Sequence, residues 1–140
     1  MKERIVAVSG GFDPLHVGHV RMMQAAAALG TKLVVIVNGD EFLKRKKGFV
    51  FMSLAERMEM VRAIRGVDEV VAAVDTDQTV CETLRLVKPH VFANGGDRKD
   101  AAGIPEAGVC RELGIEMVFN VGGGKVQSSS DLVKRAGTRS

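Results

Sequence analysis

Tryptophan and tyrosine are absent from this 140-residue sequence, and cysteine occurs only twice. With only six phenylalanines, the chain lacks the aromatic platform on which the bases of single-stranded nucleic acids stack. Cys81 and Cys110 are too few for a disulfide framework or a cysteine zinc site. No apolar run approaches the roughly 20 residues of a membrane-spanning helix, and no signal peptide is recognisable. These absences predict a cytoplasmic protein that binds neither nucleic acid nor a membrane.

The composition that remains is that of one folded domain. Hydrophobic residues make up 46% of the chain and charged residues 26%, which is enough apolar material for a packed core. The net charge of +3 suits an anionic small-molecule substrate and is far below that of a duplex-binding protein. The length and the lack of repeats or linkers predict a single domain over residues 1–140.

Short apolar segments alternate with helical patterns along the whole chain. The predicted strands are Ile5–Ser9, Leu33–Asn38, Glu69–Val74, His90–Ala93 and Glu116–Val121. The predicted helices are Gly18–Leu29, Ser53–Arg65 with a Ser53–Glu56 capping box, Thr79–Val87, Pro105–Leu113 and Ser128–Arg135. This alternation predicts an α/β fold, a single Rossmann-like, doubly wound domain in which helices cover both faces of a five-stranded parallel sheet.

In such a fold, ligands bind beyond the carboxyl ends of the strands. The loops that leave strands are therefore the places to look for chemistry. We expect these loops at Gly10–Gly18, Asn38–Met52, Asn94–Gly103 and Gly122–Gln127.

The first of these loops combines glycines with a histidine pair. Gly10 and Gly11 let the backbone approach a phosphate, and Gly18 opens a helix whose amino end attracts anions. His16 and His19 are three residues apart, so both rings are able to face one spot. The loop matches neither a P-loop nor a dinucleotide fingerprint. A zinc pair is the competing interpretation, but no nearby third ligand completes such a site, so we predict no metal held by the chain alone.

At these residues the sequence is similar to a known family. The segment GGFDPLHVGH at 10–19 resembles the (T/C)FD-x-x-H-x-GH signature of nucleotidyltransferases such as glycerol-3-phosphate cytidylyltransferase, the heptose-phosphate adenylyltransferase domain and archaeal FAD synthetase. Segments 33–42, 53–70, 94–97 and 128–130 also resemble the family, in the family's order. The resemblance therefore covers nearly the whole chain.

The resemblance implies a reaction in which the phosphate of an acceptor attacks the α-phosphate of CTP or ATP and pyrophosphate leaves. The acceptor would be a phosphorylated small metabolite such as a sugar or polyol phosphate. Mg²⁺ would travel with the triphosphate, and the protein would be a homodimer. The alternatives are a heptose-1-phosphate-type adenylyltransferase specifically, or a nucleotide-binding regulatory module without turnover.

The resemblance also implies roles for individual residues. The catalytic residues would be His16, His19, Lys46 and Ser129. The nucleotide-binding residues would be Gly10, Gly11, Phe12, Asp13, Gly18, Asp97, Lys125, Ser128 and Ser130. The acceptor-binding residues would be Lys47 and Arg65.

The resemblance to the family leaves two questions open. The run Lys44–Lys47 is either a solvated face or a phosphate clamp, and either Lys46 or Lys47 matches the family's lysine. In the closing motif, Gly123 stands where the family's arginine is usual, which weakens the assignment to cytidine nucleotides. The sequence favours CTP over ATP only slightly.

Overall fold

Five parallel strands form the centre of the protein. The computed structural model describes residues 2–95 and 104–122. The strands are β1 (Ile5–Gly10), β2 (Lys32–Val37), β3 (Glu69–Ala72), β4 (Val91–Gly95) and β5 (Glu116–Val121). They pair in the order β3-β2-β1-β4-β5, all parallel. The predicted five-stranded parallel sheet is confirmed.

Helices connect the strands. They are α1 (Val17–Ala27), α2 (Asp40–Lys47), α3 (Leu54–Arg62), α4 (Cys81–Val87) and α5 (Glu106–Leu113). None of these described helices has the length and apolar character needed to cross a membrane. The helix predicted at 128–135 lies outside the described residues.

The helices pack on both faces of the sheet, because successive strand residues point to opposite faces. On one face, Val6 and Val8 of β1 share a buried cluster with Met23 of α1 and Val61 of α3. On the other face, Ala7 belongs to a second cluster, together with Phe92, Leu84 of α4 and Val109 of α5. The two cores confirm the doubly wound architecture.

The helix α2 was not predicted, since the segment Asn38–Met52 was expected to be a loop. Its sequence DEFLKRKK shows little apolar periodicity. Its charges favour a helix instead. Asp40 and Glu41 lie in the first turn and four basic residues lie in the last turn, so both ends have the charge that the helix dipole favours. Gly48 then ends the helix in the left-handed conformation (φ 84°). The basic run is therefore the last turn of a helix.

The helix α3 begins as predicted and ends early. The hydroxyl of Ser53 accepts a hydrogen bond from the Glu56 backbone N–H (3.3 Å), which is half of the predicted capping box. The hydroxyl also donates to the Glu56 carboxylate instead of leaving it to reach back to the Ser53 amide. The helix ends at Arg62, three residues before the predicted end, and Gly66 (φ 99°) turns the chain toward β3.

The strand order fixes where a ligand can bind. The chain builds outward from β1 to β2 and β3, then returns to place β4 on the other side of β1. The connections of β1 and β4 therefore leave in opposite directions, which opens a crevice at the carboxyl ends of these two strands. Gly10 ends β1 and Gly95 ends β4, so both glycines border this crevice.

Candidate active site

Two histidines cap the start of α1. Nδ1 of His16 accepts a hydrogen bond from the backbone N–H of Gly18, and Nδ1 of His19 accepts one from the backbone N–H of His16, both at 3.1 Å. The rings stack with their centroids 3.8 Å apart. The Gly18 amide was expected to attract an anion, but His16 occupies it. Attraction of an anion here therefore depends on the histidine rings themselves.

These two hydrogen bonds fix the proton positions on both rings. A backbone N–H can only donate, so each Nδ1 must present its lone pair and each ring must carry its proton on Nε2. In an imidazole, Nε2 lies across the ring from Nδ1. Each ring therefore directs an N–H donor away from the helix backbone. The pair offers two adjacent neutral donors, which suits an anionic oxygen.

The surroundings keep His19 neutral. Burial of the ring, with a smaller effect of neighbouring His16, lowers the pKa of His19 from its usual 6.5 to about 4. The Phe12 and His19 rings also form a T-shaped contact, with a centroid distance of 5.0 Å and an interplanar angle of 89°. At neutral pH the side chain therefore acts as a hydrogen-bond donor without carrying a charge.

The lowered pKa predicts a dependence of stability on pH. Between pH 6.5 and about 4, unfolded His19 binds a proton that the folded protein does not bind, so the free energy of unfolding falls as the pH falls through this window. In His19→Asn, the amide oxygen can still accept from the His16 N–H but does not titrate. Urea denaturation at pH 8 and pH 4.5 should show a larger loss of stability for the wild type than for His19→Asn. Equal losses would contradict the lowered pKa.

The glycines of the first loop are required by packing inside the protein. A Cβ at Gly10 would lie 2.8 Å from the Phe12 ring, and a Cβ at Gly11 would lie 2.7 Å from Leu43 of α2. Phe12 itself adopts a left-handed backbone (φ 52°), which costs about 1–2 kcal/mol for a side chain of this kind and is offset by burial of its ring. Gly10 and Gly11 also line the crevice, so they serve packing and leave room for a ligand.

Asp13 and Lys47 form a latch between the first loop and the segment around the end of α2. The Asp13 carboxylate accepts hydrogen bonds from the backbone N–H groups of Phe51 (2.7 Å) and Met52 (2.6 Å). Lys47 Nζ donates to the Asp13 carbonyl oxygen (2.6 Å) and lies 3.5 Å from its carboxylate. These contacts give both side chains a structural role. The predicted nucleotide-binding role of Asp13 and acceptor-binding role of Lys47 stay predictions.

The four basic residues of α2 point in different directions. Lys44 pairs with Glu41 on the exposed helix face. Arg45 donates to the carbonyl oxygen of Thr76, in the loop after β3. Of the two lysines that the sequence left open, Lys47 belongs to the latch, whereas Lys46 lines the crevice. The structure therefore favours Lys46 as the lysine that meets a ligand.

Arg57 connects the loops around the crevice through hydrogen bonds, a role that the sequence alone does not reveal. Its side chain is fully buried. The guanidinium donates to the carbonyl oxygens of Gly11 (2.8 Å), Asn38 (2.6 Å) and Met52 (2.9 Å), and to the Asp40 carboxylate (2.6 Å). The ends of β1 and β2 and the starts of α2 and α3 are thus held by one side chain. A planar group with five donors is the side chain suited to this task.

A cavity of about 270 Å³ occupies the crevice. Asn94 and Gly95 line it at the end of β4, and Met22 lines it from α1, one helical turn after His19. Its lining also contains the polar residues Asn38, Lys46, Gln78, Thr79 and Glu106. The two histidines lie at the start of the helix that supplies Met22. The described residues contain no group of three or more His, Cys, Asp or Glu that could hold a metal ion.

Other predicted site residues are not brought together here. Arg65 is exposed in the turn between α3 and β3. This turn lies at the amino end of β3, whereas the crevice lies at the carboxyl ends of the strands. The predicted acceptor-binding role of Arg65 stays a prediction. Asp97, Lys125 and the serines at 128–130 lie outside the described residues.

Comparison with known proteins agrees with the resemblance. Residues 7–118 match a family model described as cytidylyltransferase-like. The chain is 41% identical over 123 residues to the bifunctional protein HldE of Methylococcus capsulatus, a match that covers 86% of this chain and 24% of that protein. It is 44% identical over 94 residues to the FAD synthase of Pyrococcus abyssi, covering 66% of this chain and 63% of the synthase. The chain thus spans only about a quarter of HldE.

A solved structure has the same fold. The lipopolysaccharide core biosynthesis protein from Thermoplasma volcanium superposes with a TM-score of 0.71 at 23% sequence identity, covering 85% of this chain and 97% of that protein. At this identity the likeness concerns the fold alone. The family match covers most of the chain, including the histidine pair, the basic helix and the crevice. The chain is a member of the cytidylyltransferase-like family of nucleotidyltransferases.

Proposed function

We propose that this protein transfers a nucleoside monophosphate from a nucleoside triphosphate to a phosphorylated small metabolite, a sugar or polyol phosphate, and releases pyrophosphate. The observation that carries the proposal is the capping geometry of His16 and His19. This geometry puts the N–H of each stacked ring on Nε2, at the start of the helix that supplies Met22 to the cavity at the sheet's switch point. Family membership supplies the reaction class.

The proposed chemistry needs positioning more than acid–base catalysis. An oxygen of the acceptor phosphate forms a bond to the α-phosphorus, and the bond from that phosphorus to the β-phosphate oxygen breaks, so pyrophosphate leaves with the electron pair. The nucleophile is already ionised and requires no base. His16 and His19 donate to α-phosphate oxygens as their negative charge grows. A neutral donor that is fixed in place stabilises this charge without reorganising.

Lys46 and a divalent cation complete the proposed charge balance. Lys46 lines the cavity from the last turn of α2 and offers an ammonium group to an acceptor or triphosphate oxygen. Mg²⁺, when bound, would neutralise triphosphate oxygens. The described residues fit an ion that arrives with the nucleotide, because a cavity with a single carboxylate, Glu106, forms no cage of its own.

The nucleotide is proposed to be ATP, with CTP as the alternative. The sequence favoured CTP slightly. The relative named FAD synthase shifts this preference, because FAD contains an adenylyl group. Asp97, Lys125, Ser128 and Ser130 remain proposed nucleotide contacts, and Ser129 remains a proposed catalytic residue. The homodimer also remains a proposal, which light scattering would test.

The lysine run provides a prediction. Lys46→Ala should lower kcat/KM by about 10- to 100-fold, the scale of a charge-assisted hydrogen bond, without changing the melting temperature. Lys47→Ala should instead lower the melting temperature, because the buried Asp13 carboxylate loses its cation. Lys44→Ala is the control and should change neither property, since its ion pair is exposed. Similar small effects at all three positions would indicate that the basic run is only a solvated helix end that binds no phosphate.

A pyrophosphate-release screen tests the proposed function. ATP, CTP, GTP and UTP are each combined with sugar phosphates, polyol phosphates and FMN, and each nucleotide is also tested alone. We expect release only with ATP or CTP and only when a phosphorylated acceptor is present. Triphosphate binding without release in any combination would instead indicate a non-catalytic nucleotide-binding module.

A further inference from the structure

The cavity contains a carboxylate that the proposed reaction does not use. We propose that Glu106 is a specificity-determining residue that accepts a hydrogen bond from a hydroxyl group of the phosphorylated acceptor. This inference rests on the proposed function and extends it to the body of the acceptor. It divides the acceptor into a phosphate near Lys46 and a hydroxylated part near Glu106.

The position of Glu106 is set by two elements. The residue lies in the first turn of α5, and its Oε2 accepts a hydrogen bond from the backbone N–H of Val80 (3.0 Å). This bond ties the carboxylate to the loop that follows β3, where Gln78 and Thr79 also line the cavity. Within the described part of the chain, the Val80 amide is the hydrogen-bond partner of this carboxylate. A carboxylate has lone pairs for further donors, so Glu106 retains acceptor capacity toward the cavity.

The charge of Glu106 is unfavourable for a ligand that consists only of phosphates. Both substrates carry phosphate, and an anionic side chain in their cavity repels it unless the ligand also offers a donor. Lys46 lines the same cavity, yet the ion pairs among the described residues include none between Lys46 and Glu106. The two opposite charges are therefore arranged for a ligand that has an anionic end and a donor end.

The neighbours of Glu106 favour a hydroxyl over an ammonium as this donor. Gln78 and Asn38 each present amide donors and an acceptor, and Thr79 presents a hydroxyl. A hydroxyl group both donates and accepts, so it can donate to the Glu106 carboxylate and also accept from an amide donor. An ammonium group only donates and would leave the amide donors without partners. The wall thus fits a polyol or sugar phosphate better than an amino-alcohol phosphate.

A variant–substrate cycle tests this inference. The probes are glycerol 3-phosphate and mannose 1-phosphate, each compared with its monodeoxy counterparts, with phosphoethanolamine as the ammonium probe. In the wild type, removing the recognised hydroxyl should lower kcat/KM about 10- to 100-fold. In Glu106→Gln, which keeps an oxygen for the Val80 amide, the same removal should change kcat/KM by no more than about 3-fold. The KM for the nucleotide should stay within about 2-fold.

The controls separate this inference from the proposed function and from metal binding. Glu82→Gln removes an exposed carboxylate on the neighbouring helix α4 and should behave as wild type. No pyrophosphate release from the wild type with any acceptor would refute the proposed function itself. If Glu106→Gln lowered kcat/KM by the same factor for every probe, the inference would be overturned. A preference of the wild type for phosphoethanolamine would also overturn it. A raised Mg²⁺ requirement in place of an altered acceptor preference would overturn it too.

Discussion

Replacing His19 with asparagine is expected to leave a folded protein that binds nucleoside triphosphate and turns over about 10²- to 10³-fold more slowly. The asparagine oxygen can take the place of Nδ1 and accept from the His16 N–H, so the helix cap survives. The Nε2–H donor has no counterpart in asparagine. Its loss removes an interaction that strengthens in the transition state, so kcat falls while substrate binding changes little. Pyrophosphate release at saturating substrates measures the effect.

His90 provides a matched control for this substitution. Its Nδ1 also accepts a hydrogen bond from a backbone N–H, that of Ile5 (2.9 Å). Ile5 is the first residue of β1, so this bond lies at the amino ends of the strands, opposite the crevice. His90→Asn should therefore lower the melting temperature slightly and leave turnover unchanged. If His19→Asn kept more than about a tenth of wild-type turnover, the proposed role of the histidine pair would be wrong.

Replacing Arg57 with methionine is expected to lower the free energy of unfolding by about 3–5 kcal/mol. Methionine fills a similar volume but leaves three backbone carbonyl oxygens and the Asp40 carboxylate without their donor. Buried acceptors that lose their partners account for most of the expected cost. Urea denaturation followed by circular dichroism measures it, and any remaining folded protein should show reduced turnover because Arg57 fixes the ends of β1 and β2.

Arg62 is the matched control for this second prediction, because it is an exposed arginine near the end of the same helix. Arg62→Met should change the stability by less than about 0.5 kcal/mol. A loss below about 1 kcal/mol in Arg57→Met would mean that the loops hold their positions without the guanidinium.

The sheet was predictable because its signal is local. Continuous apolar runs such as 33–37 specify buried parallel strands. A serine at position 53 followed by Glu56 likewise predicts the start of α3. The helix α2 escaped prediction because its residues are mostly charged. Its stability derives from acidic and basic ends and from Gly48, signals that the sequence contains but that apolar periodicity does not detect.

The site was predictable only in part, because several roles depend on distant partners. The histidine pair could be identified from its spacing and from the family resemblance. The burial of Arg57 depends on carbonyl groups of three separate segments, and the latch of Asp13 depends on Lys47, 34 residues away. No local pattern distinguishes such residues from surface charges. One signal was available for Arg57, since an arginine on a helix face that otherwise packs inward requires buried partners.

The fate of the α-phosphate tests the central claim most directly. The protein is incubated with an acceptor phosphate that supports pyrophosphate release and with ATP or CTP labelled with ³²P at either the α or the γ position, and the products are separated by chromatography. Nucleotidyl transfer predicts that the α label moves onto the acceptor while the γ label appears in pyrophosphate. A γ label on the acceptor or in orthophosphate, with the α label left in a nucleoside diphosphate, would contradict the account.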